Sequence, residues 1–191
     1  SQLIRAVDLS ADGTLQASNN IIRNCLVDTV TSDLGTIDST VNGGSSQIVD
    51  NLSIENCVFK NIEAYFKTFT NTTDCKILNN TFIDGVENAT DPWFIKADNS
   101  DNLIVKGNFV HKGNKFVWVK NSTGFLCQDN RLKDFFDTVV LDDVSGNDSY
   151  VFKQNDFEGF SETYEASEGG SASGVLIQNN HIHTEVLTTR L

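Results

Sequence analysis

The chain has 191 residues, 39% of them hydrophobic and 13 of them Phe, with a formal net charge of −12 from 14 basic and 26 acidic side chains. That length ordinarily folds as one domain with a continuous core. The acidity excludes a nucleic-acid partner, because phosphates demand a basic surface, and no apolar run reaches the ~18 residues a membrane span requires.

Taken in order, residues 1–20 form an irregular partial coil with a turn at Ala11-Asp12-Gly13. It shows no signal-peptide pattern, so a mature or excised segment is expected, and nothing in it has the amphipathic pattern that would cap an open solenoid end. The natural chain is therefore expected to continue upstream, with a preceding domain as a covalent neighbour. From Asn19 onward one pattern recurs seven times, at 19–27, 51–59, 74–82, 102–110, 124–132, 149–157 and 174–182. Aligned on an inward Asn or Cys, the copies fall at Cys25, Cys57, Asn80, Asn108, Asn130, Asn155 and Asn180, with gaps of 32, 23, 28, 22, 25 and 25 residues. A repeat in the twenties with strand-like alternation is the signature of a solenoid.

The alignment produces columns. Leu52, Cys75, Leu103, Phe125, Tyr150 and Val175 stand five places before the anchor; Ile22, Ile54, Ile77, Val105, Cys127, Phe152 and Ile177 stand three before it. Val27, Phe59, Phe82, Val110, Leu132, Phe157 and Ile182 stand two after it. Period-two alternation sends these inward and the mostly polar residues between them outward. Immediately before the anchor come Asn24, Asn56, Asn79, Gly107, Asp129, Gln154 and Asn179. Most of these types tolerate a left-handed backbone, which predicts a corner. The stacked anchor asparagines then satisfy buried turn amides. Further strands are predicted at 66–69, 94–97, 116–119 and 139–141, with a second corner at Asn71, Asn99 and Asn121. The predicted fold is all-β: a single right-handed parallel β-helix over residues 1–191, of about seven coils with three short strands each, roughly 34 Å long.

Loops are expected at 29–50, 85–92 and 161–174, the first containing Asn42-Gly43-Gly44-Ser45-Ser46 and the second the single proline. Six Asn-x-Ser/Thr sequons, at 51, 71, 79, 88, 121 and 147, follow from asparagine-rich turns. The four cysteines all occupy inward columns. Cys25 and Cys57 lie one coil apart, within reach of a disulfide, but in-register side chains run parallel, which favours free thiols. No CxxC pair supports a zinc or thioredoxin reading.

The Asn-Leu-x-Ile-x-Asn-Cys/Asn-x-Phe coils, seen at Asn51 to Phe59 and with variation elsewhere, resemble the pectate-lyase-like parallel β-helix superfamily over residues 19–185. Within it they look most like β-helix domains of bacterial polysaccharide-degrading proteins, relatives of alginate lyases and chondroitinase B. For a lyase, that resemblance implies a basic residue that removes the proton α to a uronate carboxylate, and calcium held by acidic residues, on outward positions of neighbouring coils. With Ile95/Ala97 and Val117/Val119 as inward pairs, the outward set is Phe94, Lys96 and Asp98 on one coil and Phe116, Trp118 and Lys120 on the next. Phe94, Phe116 and Trp118, with Trp93 beside them, form a candidate sugar-stacking strip; Lys96 and Lys120 are candidates to bind or deprotonate a uronate. The competing structural reading packs the aromatics under adjoining turns and leaves the lysines as solubilising charges. Lys67 breaks the alternation one coil earlier and leaves the register there open.

A second outward set, Arg131, Asp156 and His181, follows the anchor in three consecutive coils, Arg131 being a further candidate base and a solvated ion ladder the alternative. Asp98 with Asp101, and Asp142-Asp143, offer oxygen ligands for calcium, although acidic turn residues account for them equally. His111, His181 and His183 lie in no HExxH pattern or nucleophile elbow. The expected function is that of a non-catalytic carbohydrate-binding or spacer domain of a secreted, extracellular or cell-surface bacterial polysaccharide-active protein. The alternatives are a calcium-assisted lyase cleaving uronic-acid glycans by β-elimination and a structural tailspike or adhesin segment.

Overall fold

A computed structural model describes residues 19–30, 39–40, 49–62, 67–84, 93–113, 115–135, 139–141, 149–158, 164–166 and 174–183. These residues form strands and tight corners with no helix, arranged in three parallel sheets that the chain visits in turn, so that it winds as a parallel β-solenoid. Sheet 1 stacks Ile21–Arg23, Ser53–Glu55, Lys76–Leu78, Ile104–Lys106, Leu126–Gln128, Tyr150–Lys153 and Val175–Gln178. Sheet 2 stacks Leu26–Val30, Val58–Ile62, Thr81–Ile83, Phe109–Gly113, Arg131–Phe135, Asp156–Glu158 and His181–His183. Sheet 3 runs from Ser39–Thr40 through Lys67–Thr73, Trp93–Asp101, Lys115–Lys120 and Val139–Leu141 to Tyr164–Ala166, with Val49–Asp50 also paired to Lys67–Thr73. No helix among the described residues is long and apolar enough to cross a membrane.

The columns read from the sequence are register partners. Ile22, Ile54, Ile77, Val105, Cys127, Phe152 and Ile177 pair successively along sheet 1. Val27, Phe59, Phe82, Val110, Leu132, Phe157 and Ile182 do so along sheet 2. All are buried between the second and sixth of these layers. At the 174–183 layer the column opens, and Ile177 and Ile182 are exposed. Aromatic contacts knit the layers: the Phe59 and Phe82 rings stack at 4.8 Å, and Phe125 meets Phe152 at 5.5 Å. Each buried ring contributes on the order of 1.5–3 kcal/mol through its removal from water.

The corner between sheets 1 and 2 is where the sequence placed it. Asn24, Asn56, Asn79, Gly107, Asp129, Gln154 and Asn179 all have φ between 53° and 68°. At Gly107 a Cβ would run into the Asn79 side-chain oxygen of the neighbouring coil, so the absence of a side chain there is a packing requirement as well as a backbone one. Backbone pairing carries on around the bend; for example, Asn79 N donates to Lys106 O at 2.9 Å and Gly107 N to Gln128 O at 3.0 Å. Asn71, Asn99 and Asn121 form the second predicted corner, with φ of 51°, 53° and 48°.

Behind the first corner runs the amide ladder. The backbone N–H groups of Cys57, Asn80, Asn108, Asn130 and Asn155 each donate to the side-chain oxygen of the next anchor asparagine at 2.9–3.0 Å. The amide nitrogens of Asn80, Asn108, Asn130, Asn155 and Asn180 donate back to Ile54 O, Ile77 O, Val105 O, Cys127 O and Phe152 O at 2.8–3.0 Å. At the first two anchors sulfur replaces the amide: Cys25 N donates to Cys57 Sγ at 3.4 Å.

All four thiols are free. Burial pushes the Cys127 thiol well above its ordinary range, only partly opposed by the Asn130 amide donating to its sulfur; burial likewise raises Cys57. The unfolded chain therefore releases these protons first as pH rises, so the contribution is intact below the unfolded thiol pKa and declines above it. Urea midpoints measured between pH 7 and pH 10 should show stability falling above about pH 8.5, by roughly 1–2 kcal/mol at pH 10 for Cys127 alone. Cys127→Val should flatten that slope; an unchanged slope would show that the thiol titrates in the folded chain.

Several expectations are corrected. Phe116 is wholly buried and Phe94 half-buried against the core, so these two rings do not form an outer strip. At the start of the Lys115–Lys120 strand Phe116 and Val117 are both buried, which breaks strict alternation. The register at the preceding coil is fixed by Phe69, which pairs with Ala97 and is buried, while Lys67 pairs with Ile95. The 29–50 segment is not all loop, since it contributes Thr29 and Val30 to sheet 2 and two short strands to sheet 3. Tyr164–Ala166, inside the expected 161–174 loop, continues sheet 3 beside Val139–Leu141. The expected loop at 85–92, the partial coil at 1–18, and Asp142 and Asp143 lie outside the described residues.

Candidate functional site

The outer side of sheet 3 is built by alternation around the buried Ile95, Ala97, Val117 and Val119. Between these positions, Thr68, Lys96, Trp118, Val140 and Glu165 are successive register partners across five strands. Two residues further along the strands, Thr70, Asp98 and Lys120 form the next row. Trp118 is half-buried, and the Lys120 ammonium lies 5.6 Å from the centre of its ring. A cation held over an aromatic face at that distance contributes about 0.5–1 kcal/mol at an exposed site and fixes the ring's orientation.

The acidic residues of this face serve the corners. Asp98 Oδ1 accepts a hydrogen bond from Asn121 Nδ2 at 3.2 Å. Asp101 Oδ1 accepts from Thr123 N at 3.1 Å and Thr123 Oγ1 at 2.7 Å. Asp98 and Asp101 thus have separate partners, and Asp98 is in no group of three metal-ligating side chains among the described residues. Trp93 begins its strand opposite Lys115, and Lys96 pairs with both Thr68 and Trp118. Of the proposed strip and its bases, then, the structure gathers Lys96, Trp118 and Lys120 around two adjoining rows and takes Phe94 and Phe116 into the interior.

Arg131, Asp156 and His181 are direct register partners on three consecutive strands of sheet 2, as their spacing implies. Arg131 Nε lies 3.6 Å from Asp156 Oδ2, and both side chains are substantially exposed, so the pair contributes at most about 1 kcal/mol. Sequence reasoning missed the fourth member, His183, whose Nε2 is 2.9 Å from His181 Nδ1 and 3.6 Å from Asp156 Oδ1. The signal was present as His-x-His, two residues on the same side of a strand.

Also missed was a column of left-handed residues closing sheet 2, namely Asn61, Asp84, Lys112 and Asp134, with φ of 53° to 63°. Its neighbour His111 lies between two carboxylates of that column, 3.6 Å from Asp84 and 3.0 Å from Asp134.

No family model, curated protein or solved structure matches this chain.

Proposed function

We propose that this chain is a polysaccharide-binding β-solenoid domain of a secreted, polysaccharide-active bacterial protein of the pectate-lyase-like superfamily. Its glycan rests on the outer side of sheet 3. The observation that carries this reading is Trp118: a large ring kept half-open on a flat parallel sheet, in register with Lys96 and Val140 and braced by Lys120. An aromatic face flanked by a few fixed polar groups is what a sugar ring needs, its C–H side stacking and its hydroxyls or carboxylate meeting charge. Asp98, a carboxylate in the row adjoining that of Trp118, adds an acceptor beside it. Lys96 and Lys120 share these rows with Asp98 and Glu165, so the face offers charges of both signs to a glycan's hydroxyls and carboxylates.

Affinity electrophoresis against alginate, pectate and chondroitin tests this. At least one glycan should retard the parent chain, and Trp118→Ala should weaken that interaction about tenfold or more. Unchanged retardation of the variant on every glycan that slows the parent removes this face as the site. No retardation at all leaves a spacer role in its place. Appearance of unsaturated sugar ends, lost in Lys96→Ala, would replace binding by β-elimination.

A further inference from the structure

We propose that Asp156, His181 and His183 form a binding site for a divalent transition-metal ion of the zinc class. The site lies on the outer side of sheet 2, at its last two described strands. Pairing of Asp156 with His181 puts the carboxylate beside the first imidazole, and the two-residue spacing along His181–His183 brings the second imidazole to the same side. Ile182, between them, belongs to the inward column. Three donor atoms thereby converge: His181 Nδ1, His183 Nε2 and Asp156 Oδ1, separated by 2.9, 3.6 and 3.8 Å. An ion bound tetrahedrally at 2.0–2.1 Å spaces its ligand atoms at roughly 3.3–3.4 Å, a value these three separations bracket. The rings stand edge to face, their planes 64° and their centres 3.8 Å apart, so sharing one ion requires them to swing apart about their side-chain torsions.

Without an ion the arrangement is electrostatically incomplete. His183 Nε2 and His181 Nδ1 face each other at 2.9 Å, and Asp156 Oδ1 lies within 3.6–3.8 Å of both nitrogens, beyond hydrogen-bond reach. Asp156 Oδ1 is indeed shielded from solvent and has no hydrogen-bond partner, although its residue lies at the surface. An acceptor left this way is unfavourable, and a cation at the centre of the three atoms would remove the deficit. The neighbours suit such a role. Arg131 faces the other carboxylate oxygen and orients it, while Glu158 is engaged by Lys133 at 3.4 Å and so does not crowd the site. Histidine nitrogen with a single carboxylate favours zinc, cobalt or nickel over calcium or magnesium, which prefer all-oxygen shells. Three protein ligands leave a fourth position open, as in zinc sites that bind a water or substrate group.

Isothermal titration of untagged chain with zinc chloride should give one saturable site per chain in the micromolar range or tighter. Cobalt chloride should give the visible absorption of a tetrahedral complex. His183→Gln and Asp156→Asn should each weaken zinc binding at least a hundredfold, with unchanged far-ultraviolet circular dichroism. His111→Gln, which alters the other histidine–carboxylate contact, should leave the titration as it is. Absence of saturable zinc uptake by the parent chain overturns the proposal, as does a His183→Gln titration superimposable on the parent's.

Discussion

Asn108→Ala should cost this protein about 3–5 kcal/mol, measured as a shift of the urea midpoint. Asn108 Oδ1 accepts from Asn80 N at 2.9 Å and from Asn80 Nδ2 at 3.1 Å; its amide nitrogen donates to Ile77 O at 2.9 Å and Asn130 Oδ1 at 3.0 Å. Alanine keeps the backbone bonds, the donation to Asn130 and the one accepted from Arg131 N, and leaves the Asn80 N–H with no acceptor in a place water does not reach. Each buried polar group stranded in this way costs about 1–3 kcal/mol, set against a total stability of about 5–15 kcal/mol. The comparison variant is Asn56→Gly, at an exposed corner position with φ of 53°. Glycine adopts that conformation freely, so the change should stay within about 1 kcal/mol. Equal effects for the two variants would mean that the ladder is not what holds neighbouring coils together.

Phe116→Ala should have a comparable effect, about 3–5 kcal/mol, with the denaturant slope unchanged. The ring is fully enclosed, stacked on Phe94 at 5.7 Å and edge-on to Phe157 at 6.5 Å, so truncation opens a cavity where sheet 2 hands over to sheet 3. The same variant separates the interior from the outer face, because the folded fraction should retain whatever glycan retardation the parent shows. Lost retardation with an unmoved urea midpoint would return Phe116 to the surface strip that its sequence position suggested.

Phe116 also shows where sequence ended as a guide. The columns around Ile54, Ile77 and Val105 were legible because each coil repeats the same demands: an inward apolar residue, a left-handed corner, then a side chain able to satisfy a turn amide. Those demands are local, so they leave a mark in the letters. At the start of a sheet 3 strand two adjacent residues can both be buried, as Phe116 and Val117 are, and no single residue type records that. Phe94 and Phe116 were accordingly given the outward half of an alternation that has not yet begun at their positions. Trp118, two residues further along, falls where alternation holds and is half-buried between the buried Val117 and Val119.

The His183 contact failed to emerge for a different reason. Arg131, Asp156 and His181 were aligned across strands, and the relation that completes the cluster runs along one strand. Similarly, Lys112 sits among Asn61, Asp84 and Asp134 in a left-handed column although lysine carries no turn signature. Its conformation is imposed by the coils on either side.

The amide ladder has a last implication, for how such a molecule can be lengthened. Along the column each anchor bonds to its immediate neighbours, and across separations of 32, 23, 28, 22 and 25 residues the backbone N–H donates to the next anchor's side chain, to sulfur at the first step and to an amide oxygen after it. The stack is thus indifferent to the number of residues between its anchors. Growth is therefore by whole circuits: a duplicated circuit would add about 4.8 Å of height and its own amide, whereas a single inserted residue within a strand would turn every later side chain of that strand inside out. Height is an inheritable, stepwise quantity in this architecture, and breadth is free to vary.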